Sequence, residues 1–153
     1  MPPSFILNAL YHSSMSVRFN ILPGHGLVYV RLDGDICASE CLAIFNEYAK
    51  HPECRPGQKQ LIDFSRATGL DTDFVKLIEL QARKADIFLA DGAQTLTVYY
   101  APCRHTRELA KVMQRNWEAF PGVVTVIQDD EAAALSILGL RMATFDQLLE
   151  QTF

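Results

Sequence analysis

The sequence lacks most of the features that identify an enzyme, a membrane protein or a secreted protein at sight. No apolar run approaches the roughly 20 residues that cross a bilayer, and residues 1–16 show no basic start followed by an apolar core and a cleavage site. Phosphate-binding glycine loops, dinucleotide fingerprints, HExxH and GxSxG are also missing. We therefore expect a cytoplasmic protein that has no membrane span, is not an enzyme and needs no cofactor.

Paired cysteines and excess positive charge are lacking too. The four cysteines include no CxxC pair, and Cys37 and Cys41 have the spacing of ordinary core positions on one helical face. Thiols normally stay reduced in the cytoplasm, so we expect buried or half-buried thiols; the alternatives are a metal site or a redox or disulfide role. The histidines lack metal-ligand spacing, and we predict no metal. The net charge of −4 argues against nucleic-acid binding.

What the sequence does contain is an alternation of strand and helix patterns. We divide its 153 residues into an N-terminal arm (1–16), one domain (17–140) and a C-terminal tail (141–153). The predicted strands are 17–22, 27–32, 60–64, 94–100 and 123–127, and the predicted helices are about 38–50, 71–89, 104–120 and 129–138. The order ββαβαβαβα predicts an α/β fold, a mixed sheet of about five strands with about four helices.

The stretch 60–74 is predicted to be a buried strand, a polar loop and the first turn of a helix. Asp71 or Thr72 can accept hydrogen bonds from the free N–H groups at the helix start. The predicted buried stripe of this second helix comprises Phe74, Leu77, Ile78, Ala85 and Phe88. In an open α/β sheet, sites are usually built at the carboxyl end of such a strand. We therefore predict the functional surface at this loop and helix.

Three segments at the joints of this order resemble the STAS family, the anti-sigma-factor-antagonist type of domain. Leu32-Asp33-Gly34-Asp35-Ile36 is similar to that family's turn between a strand end and helix one. Leu61-Ile62-Asp63-Phe64-Ser65 followed by Leu70-Asp71-Thr72 is similar to its apolar strand and the Asp-Ser pair that opens helix two. The run from Asp130 to Gly139 resembles its acidic, Ala-rich closing helix.

The resemblance implies a STAS-like fold and a regulatory or protein-interaction module rather than an enzyme. It implies a partner protein, with Ser65, Asp71, Thr72 and Asp73 as the partner-binding or switch residues. Thr72 stands where the family's regulators are phosphorylated, although Asp73 and Phe74 follow where a serine and a glycine are usual. Apolar residues around helix two also fit a homodimer. Similar SEC14-type domains imply the alternative, a carrier or sensor of a small apolar or amphipathic, lipid-like ligand.

A second candidate site lies at the start of the third predicted helix. Arg104, His105 and Arg107 add positive charge to the free N–H groups there, a combination that attracts anions and lowers the pKa of the Cys103 thiol. A thiol phosphatase would need arginine six residues after its cysteine, where this chain has Leu109. Anion or acidic-partner binding by these three residues, a solvated basic turn and thiol catalysis at Cys103 are the alternatives.

Overall fold

The computed structural model describes residues 12–13, 16–70, 73–118 and 120–150. Its centre is one sheet whose six strands lie side by side in chain order. The strands are β1 (His12–Ser13), β2 (Val17–Leu22), β3 (Leu27–Ile36), β4 (Lys59–Leu70), β5 (Thr95–Tyr100) and β6 (Val123–Gln128). The pairs β1–β2 and β2–β3 are antiparallel, and the remaining pairs are parallel. Five strands have six or more residues, which confirms the α/β class and a mixed sheet of about five strands.

The hairpin of β2 and β3 follows from their short connection. A 3-10 turn at Pro23–His25 leads into Gly26, whose φ of +59° is a conformation that favours glycine. The register pairs Leu22 with Leu27, as expected when a tight turn sets the pairing. The strands predicted at 17–22 and 27–32 therefore pair as an antiparallel hairpin.

The described residues form five α-helices. Three of them, α1 (Ala38–Lys50), α2 (Phe74–Phe88) and α3 (Arg104–Arg115), each connect two neighbouring parallel strands. Parallel strands need such a crossover because a tight turn cannot join them. The other two, α4 (Glu131–Ile137) and α5 (Phe145–Glu150), follow β6. The fifth helix lies in the segment that the sequence assigns to the C-terminal tail.

Helices cover both faces of the sheet, and side chains alternate between these two faces along each strand. On one face, which we call the α1–α3 face, Phe19, Ile62 and Tyr99 of the strands belong to a core shared with the first three helices. On the other, the α4–α5 face, the core includes Leu135 of α4 and Leu148 of α5, both 0 % exposed. The tail segment that carries α5 is therefore packed onto the sheet.

Strands β3 and β4 both continue past the ends that the sequence predicts. Asp33-Gly34-Asp35 was expected to end a strand and 65–69 to form a loop, but these segments pair with each other as far as Ile36 and Leu70. Two register shifts interrupt the pairing, and Gly34 at the second has a φ of +70°. The predicted loop is wrong because β3 and β4 form hydrogen bonds with each other over this length, and this pairing outweighs the local preference for a turn. Bulges at the two register shifts accommodate the unequal numbers of residues in the two strands.

The buried stripe of α2 also differs from the predicted one. Leu77 and Phe88 are each 2 % exposed as predicted, but Ile78 is 66 % exposed. Leu80 and Gln81 are buried instead, at 1 % and 2 %. Apolar residues occur on most sides of α2, so helical periodicity alone does not decide which side faces the sheet.

Candidate functional site

The residues of the predicted switch are only partly within the described structure. Asp71 and Thr72 lie outside the described residues. Asp73 is the N-cap of α2, and its Oδ1 accepts a hydrogen bond from the backbone N–H of Lys76 at 3.1 Å. A carboxylate in this position pairs a free N–H group and interacts favourably with the helix dipole. Asp73 therefore defines where α2 begins.

Ser65 lies in β4. Its side chain is exposed, and its backbone forms a hydrogen bond with a buried residue. Its N–H donates to Asp63 Oδ1 at 2.9 Å. Asp63 is only 6 % exposed, and its Oδ2 accepts from the hydroxyl of Tyr29 at 2.6 Å. Both oxygens of this buried carboxylate are thus paired, as burial of a polar group requires. These hydrogen bonds hold the backbone of β4 at Ser65 against the buried carboxylate of Asp63.

The end of β4 contacts the start of α3. His105 Nε2 lies 2.6 Å from the carbonyl oxygen of Thr68, and the Thr68 hydroxyl donates to Asp35 Oδ1 at 2.9 Å. A carbonyl oxygen only accepts, so the hydrogen bond requires the proton on Nε2 of His105. All three side chains are exposed. The structure therefore brings the predicted anion-binding segment against the predicted switch segment, two sites that the sequence treats separately.

Gly69 permits the close approach of β3 and β4 at this point. A Cβ atom at position 69 would lie 2.8 Å from Asp35 Oδ1. Any larger residue would displace the Asp35 carboxylate from the hydroxyl of Thr68. Packing, rather than a positive φ, explains this glycine.

Cys103 is the exposed N-cap of α3. Hydrogen bonds from the hydroxyl and then the backbone N–H of Thr106 lower the pKa of its thiol, and the positive charge of Arg107 adds to this effect. The neighbouring His105 ring donates to the Thr68 carbonyl instead of serving the thiol. Among the described residues, the arrangement provides a thiol that ionises more readily than an ordinary cysteine and no base aligned with it.

Arg104 and Arg107 are exposed in the first turn of α3. Neither forms an ion pair with a residue of the described ranges. With the positive end of the helix dipole behind them, these guanidinium groups can attract an anion from solvent. Attraction of an anion is therefore the chemistry that the geometry of Arg104 and Arg107 supports.

An exposed apolar surface runs along α2. Val75 is 75 % exposed and Ile78 is 66 % exposed, and the exposed Ala82 continues the same side of the helix. We call these three residues the α2 stripe. Within the described ranges, the other large apolar side chains with comparable exposure are Val124 and Ile137, which lie singly on β6 and α4. The sequence predicted a functional face on this helix but placed Ile78 on its buried side.

A cavity of about 60 Å³ lies within the core between the α1–α3 face of the sheet and helices α1 and α2. Its walls are mainly aliphatic and aromatic, with Phe19, Phe45 and Phe88 among them. Two polar side chains, Gln60 and Lys84, also line it. The sequence analysis did not single out either residue, and sequence periodicity gave no signal for them.

Burial controls the ionisation of two groups at this cavity. It raises the pKa of the Cys41 thiol to about 11, so the thiol is neutral at physiological pH. It lowers the pKa of Lys84, with Cys41 as the opposing but weaker influence. Both shifts have the sign expected when a charged form is removed from water.

The described ranges contain no cluster of histidine, cysteine and carboxylate side chains suited to a metal ion. They also contain no helix with the length and apolar character needed to cross a membrane. The sequence matches no family model, and no curated protein matches it. A function for this chain therefore has to be argued from the geometry of its own residues.

Proposed function

We propose that this protein is a non-enzymatic regulatory or interaction module of the STAS type that binds a partner protein through the α2 stripe. The observation that carries the proposal is the exposure of Val75 and Ile78 on one side of the helix that follows the central strand. Burying two such side chains in an interface yields about 1.5–3 kcal/mol each. Their proximity makes this helix the best candidate for the core of an interface.

The surroundings of the α2 stripe have the character of an interface rim. Glu79 and Arg83 are exposed beside the stripe, and Arg83 donates to Asn46 Oδ1 of α1 at 2.7 Å. Apolar centres with polar, solvent-accessible edges are typical of transient protein interfaces. The charged edge would select the partner, and the stripe would supply most of the affinity.

The STAS assignment and the switch at Thr72 are part of the same proposal. Support comes from the chain order of two antiparallel strands followed by three parallel crossovers, and from a helix that opens with a carboxylate cap directly after residues 71–72. A phosphoryl group on Thr72 would gain from the N-terminus of α2 but would be repelled by the flanking Asp71 and Asp73. The proposed switch would alter access to the adjacent stripe.

Site-specific photo-crosslinking in the native host tests the partner surface. A photoreactive amino acid replaces Ile78 in one variant and Val124 in the control, since both side chains are largely exposed but lie on different elements. We expect a discrete heterologous crosslink from position 78 and none from position 124. The crosslink should disappear when Val75→Asp is added, because a carboxylate in the apolar centre opposes burial.

Two results would overturn the proposal. Crosslinks only between copies of this chain would assign the stripe to a homodimer, and equal crosslinking at 78 and 124 would show a surface without a preferred partner. Intact-mass measurement of the same protein tests the switch separately. A mass gain of one phosphoryl group that is lost in Thr72→Ala supports it, while an unmodified chain under all growth conditions argues against it.

A further inference from the structure

Strand β6 lies at one edge of the sheet. It pairs with β5 and with no other strand of the described residues. Its sequence, Val-Val-Thr-Val-Ile-Gln, contains no charged residue, proline or glycine, and all but the last residue are β-branched. Soluble proteins usually protect an edge strand with charges, proline, a bulge or a covering segment. The residues of β6 provide no such protection and favour pairing with a further strand.

The backbone groups on the outer side of β6 belong to its odd-numbered residues. The N–H of Thr95 donates to the carbonyl oxygen of Gly122 at 3.0 Å. The N–H of Ala101 likewise donates to the carbonyl oxygen of Gln128 at 2.8 Å. In a parallel ladder of this phase, the even-numbered residues of β6 point both backbone groups at β5. The residues whose N–H and C=O groups point away from the sheet are therefore Val123, Thr125 and Ile127.

Two N–H groups on this outer side are available to a new partner. The N–H of Val123 already donates to the carbonyl oxygen of Phe120 at 3.0 Å. The N–H groups of Thr125 and Ile127 have no acceptor among the described residues. The carbonyl oxygen of Thr125 accepts from Gln114 Nε2 of α3 at 3.4 Å, and a carbonyl oxygen has a second lone pair. The edge therefore offers two free donors and acceptors on both sides of them.

We infer that β6 pairs antiparallel with β6 of a second copy of this chain, with the two-fold axis at Thr125. In this register the N–H of Thr125 donates to the carbonyl oxygen of Thr125 in the second copy. The N–H of Ile127 donates to the carbonyl oxygen of Val123 in the second copy. The symmetry repeats both hydrogen bonds, so every free donor on the outer side of β6 gains an acceptor.

The same register covers the exposed valine of β6. Val124 is 53 % exposed. Val124 and Val126 lie beside Leu96 and Val98 of β5, which contribute to the α4–α5 face. A two-fold axis at Thr125 places Val124 directly opposite Val126 of the second copy, on that same face. Two such contacts form in the dimer, and each removes an exposed apolar side chain from water.

The charges beside the edge are complementary in a second copy. Because Gln114 contacts Thr125, this part of α3 lies close to the proposed axis. Lys111 precedes Gln114 by three residues and Glu118 follows it by four, so the three share one side of the helical turns. Lys111 and Glu118 are both exposed, and the axis brings each towards its opposite in the other copy. The present partner of Lys111 is an exposed Glu108 at 3.5 Å, and such surface pairs contribute little.

The length of the edge sets the strength of the dimer. A strand of six residues extends about 20 Å, and each copy contributes this strand and one side of α3. Stable interfaces bury roughly 800 Å² on each partner, and a contact along a single edge of this length is smaller. We therefore expect a reversible dimer whose population depends on the protein concentration.

Sedimentation velocity of the full chain over a concentration series measures the dimer, and hydrogen exchange followed by NMR locates it. We expect the N–H groups of Thr125 and Ile127 to exchange rapidly at low concentration and slowly where the dimer predominates. Those of Val124 and Val126 point at β5, so they should be protected throughout and serve as the internal control. A monomer at every concentration, or a dimer without the new protection, would overturn the inference.

Three substitutions test the surface that forms the dimer. Val124→Lys should raise the dissociation constant at least about tenfold, because it places a charge in each apolar contact. Val124→Thr, which keeps a branched and uncharged side chain, should retain the dimer. Val75→Asp changes the α2 stripe and should leave the dimer unaffected. A dimer that survives Val124→Lys and is lost in Val75→Asp would assign the contact to α2 and overturn the inference. The exchange measurement on the unaltered chain decides the matter even where a variant does not fold.

The inference is independent of the partner proposed for the α2 stripe, because the two surfaces lie on different elements. A photoreactive amino acid at position 124 should crosslink to a second copy of this chain and to no other protein. Position 124 therefore remains a control for the heterologous crosslink expected at position 78. A heterologous crosslink from position 124 would show that another protein occupies the edge of β6 and would overturn the inference.

Discussion

The two faces of the sheet differ in how completely their buried polar groups are paired. On the α4–α5 face, Tyr29 donates to the buried carboxylate of Asp63 at 2.6 Å, and Lys59 Nζ donates to the carbonyl oxygen of Leu138 at 3.0 Å. On the α1–α3 face, buried side-chain atoms of Gln60 and Gln81 have no partner among the described residues. The cavity also lies on the α1–α3 face. The unpaired buried atoms of Gln60 and Gln81 and the cavity therefore lie on the same face of the sheet.

The largest expected contrast comes from removing one polar group on each face. Tyr29→Phe should lower the free energy of unfolding by about 1.5–3 kcal/mol, because it leaves a buried carboxylate oxygen without its donor. Gln81→Leu should raise it by about 1 kcal/mol, because a buried amide with neither end paired is replaced by an apolar group of similar size. Urea unfolding followed by circular dichroism measures both.

The slope of the unfolding free energy against urea should be the same in both variants and in the parent chain, which controls for changes in the exposed surface. If Gln81→Leu lowers stability, the amide has an effective partner, such as ordered water, and the two faces are more alike than their contacts indicate.

A smaller contrast comes from adding one methylene group on each face. Val28 is 3 % exposed and lines the cavity, whereas Val98 is 0 % exposed in the core of the α4–α5 face. Val28→Ile should raise the free energy of unfolding by up to about 0.8 kcal/mol, the value of one buried methylene. Val98→Ile should lower it by about 1–3 kcal/mol, because a well-packed core resists extra volume. Thermal unfolding of the pair measures the difference, and equal losses would mean that the cavity does not accept a side chain.

The parts of this molecule that could be predicted from the sequence are those with local causes. Leu96, Val98 and Tyr100 alternate along the predicted strand 94–100, which places them on one face, and all three do contribute to the α4–α5 face. The extension of β4 could not be predicted, because its polar residues favour a turn until β3 supplies a partner strand. The inward side of α2 was equally undetermined, since Ile78 and Gln81 exchange the roles that their polarity indicates.

The candidate sites also could not be predicted in full, because each of them joins segments that are far apart in the sequence. Each segment was recognisable by itself, since helix starts and basic residues are local features. The hydrogen bond between His105 and Thr68 joins residues 37 positions apart, and nothing in either segment specifies the other. The cavity depends on how helices α1 and α2 lie over the sheet, so sequence periodicity gave no indication of Gln60 or Lys84 as its polar residues.

Cys103 and Cys41 should differ in thiol reactivity, a difference that can be measured on the unaltered chain. Cys103 is exposed and its pKa is lowered by Thr106, whereas burial at the cavity raises the pKa of Cys41 to about 11. Because the thiolate is the reacting form, Cys103 should be alkylated first by iodoacetamide and Cys41 last. At pH 8 only about one Cys41 in a thousand is ionised, and its rate should rise about tenfold per pH unit towards that pKa.

Intact-mass and peptide mass spectrometry during a time course at several pH values follows each thiol separately. In Cys103→Ser, the fast phase should vanish while the slow modification of Cys41 is unchanged, which assigns the two rates. Modification of Cys41 as fast as that of Cys103 would show that water and reagent enter the α1–α3 face freely. The unpaired donors there would then be hydrated rather than held in a poorly solvated cavity, and the contrast between the two faces would be lost.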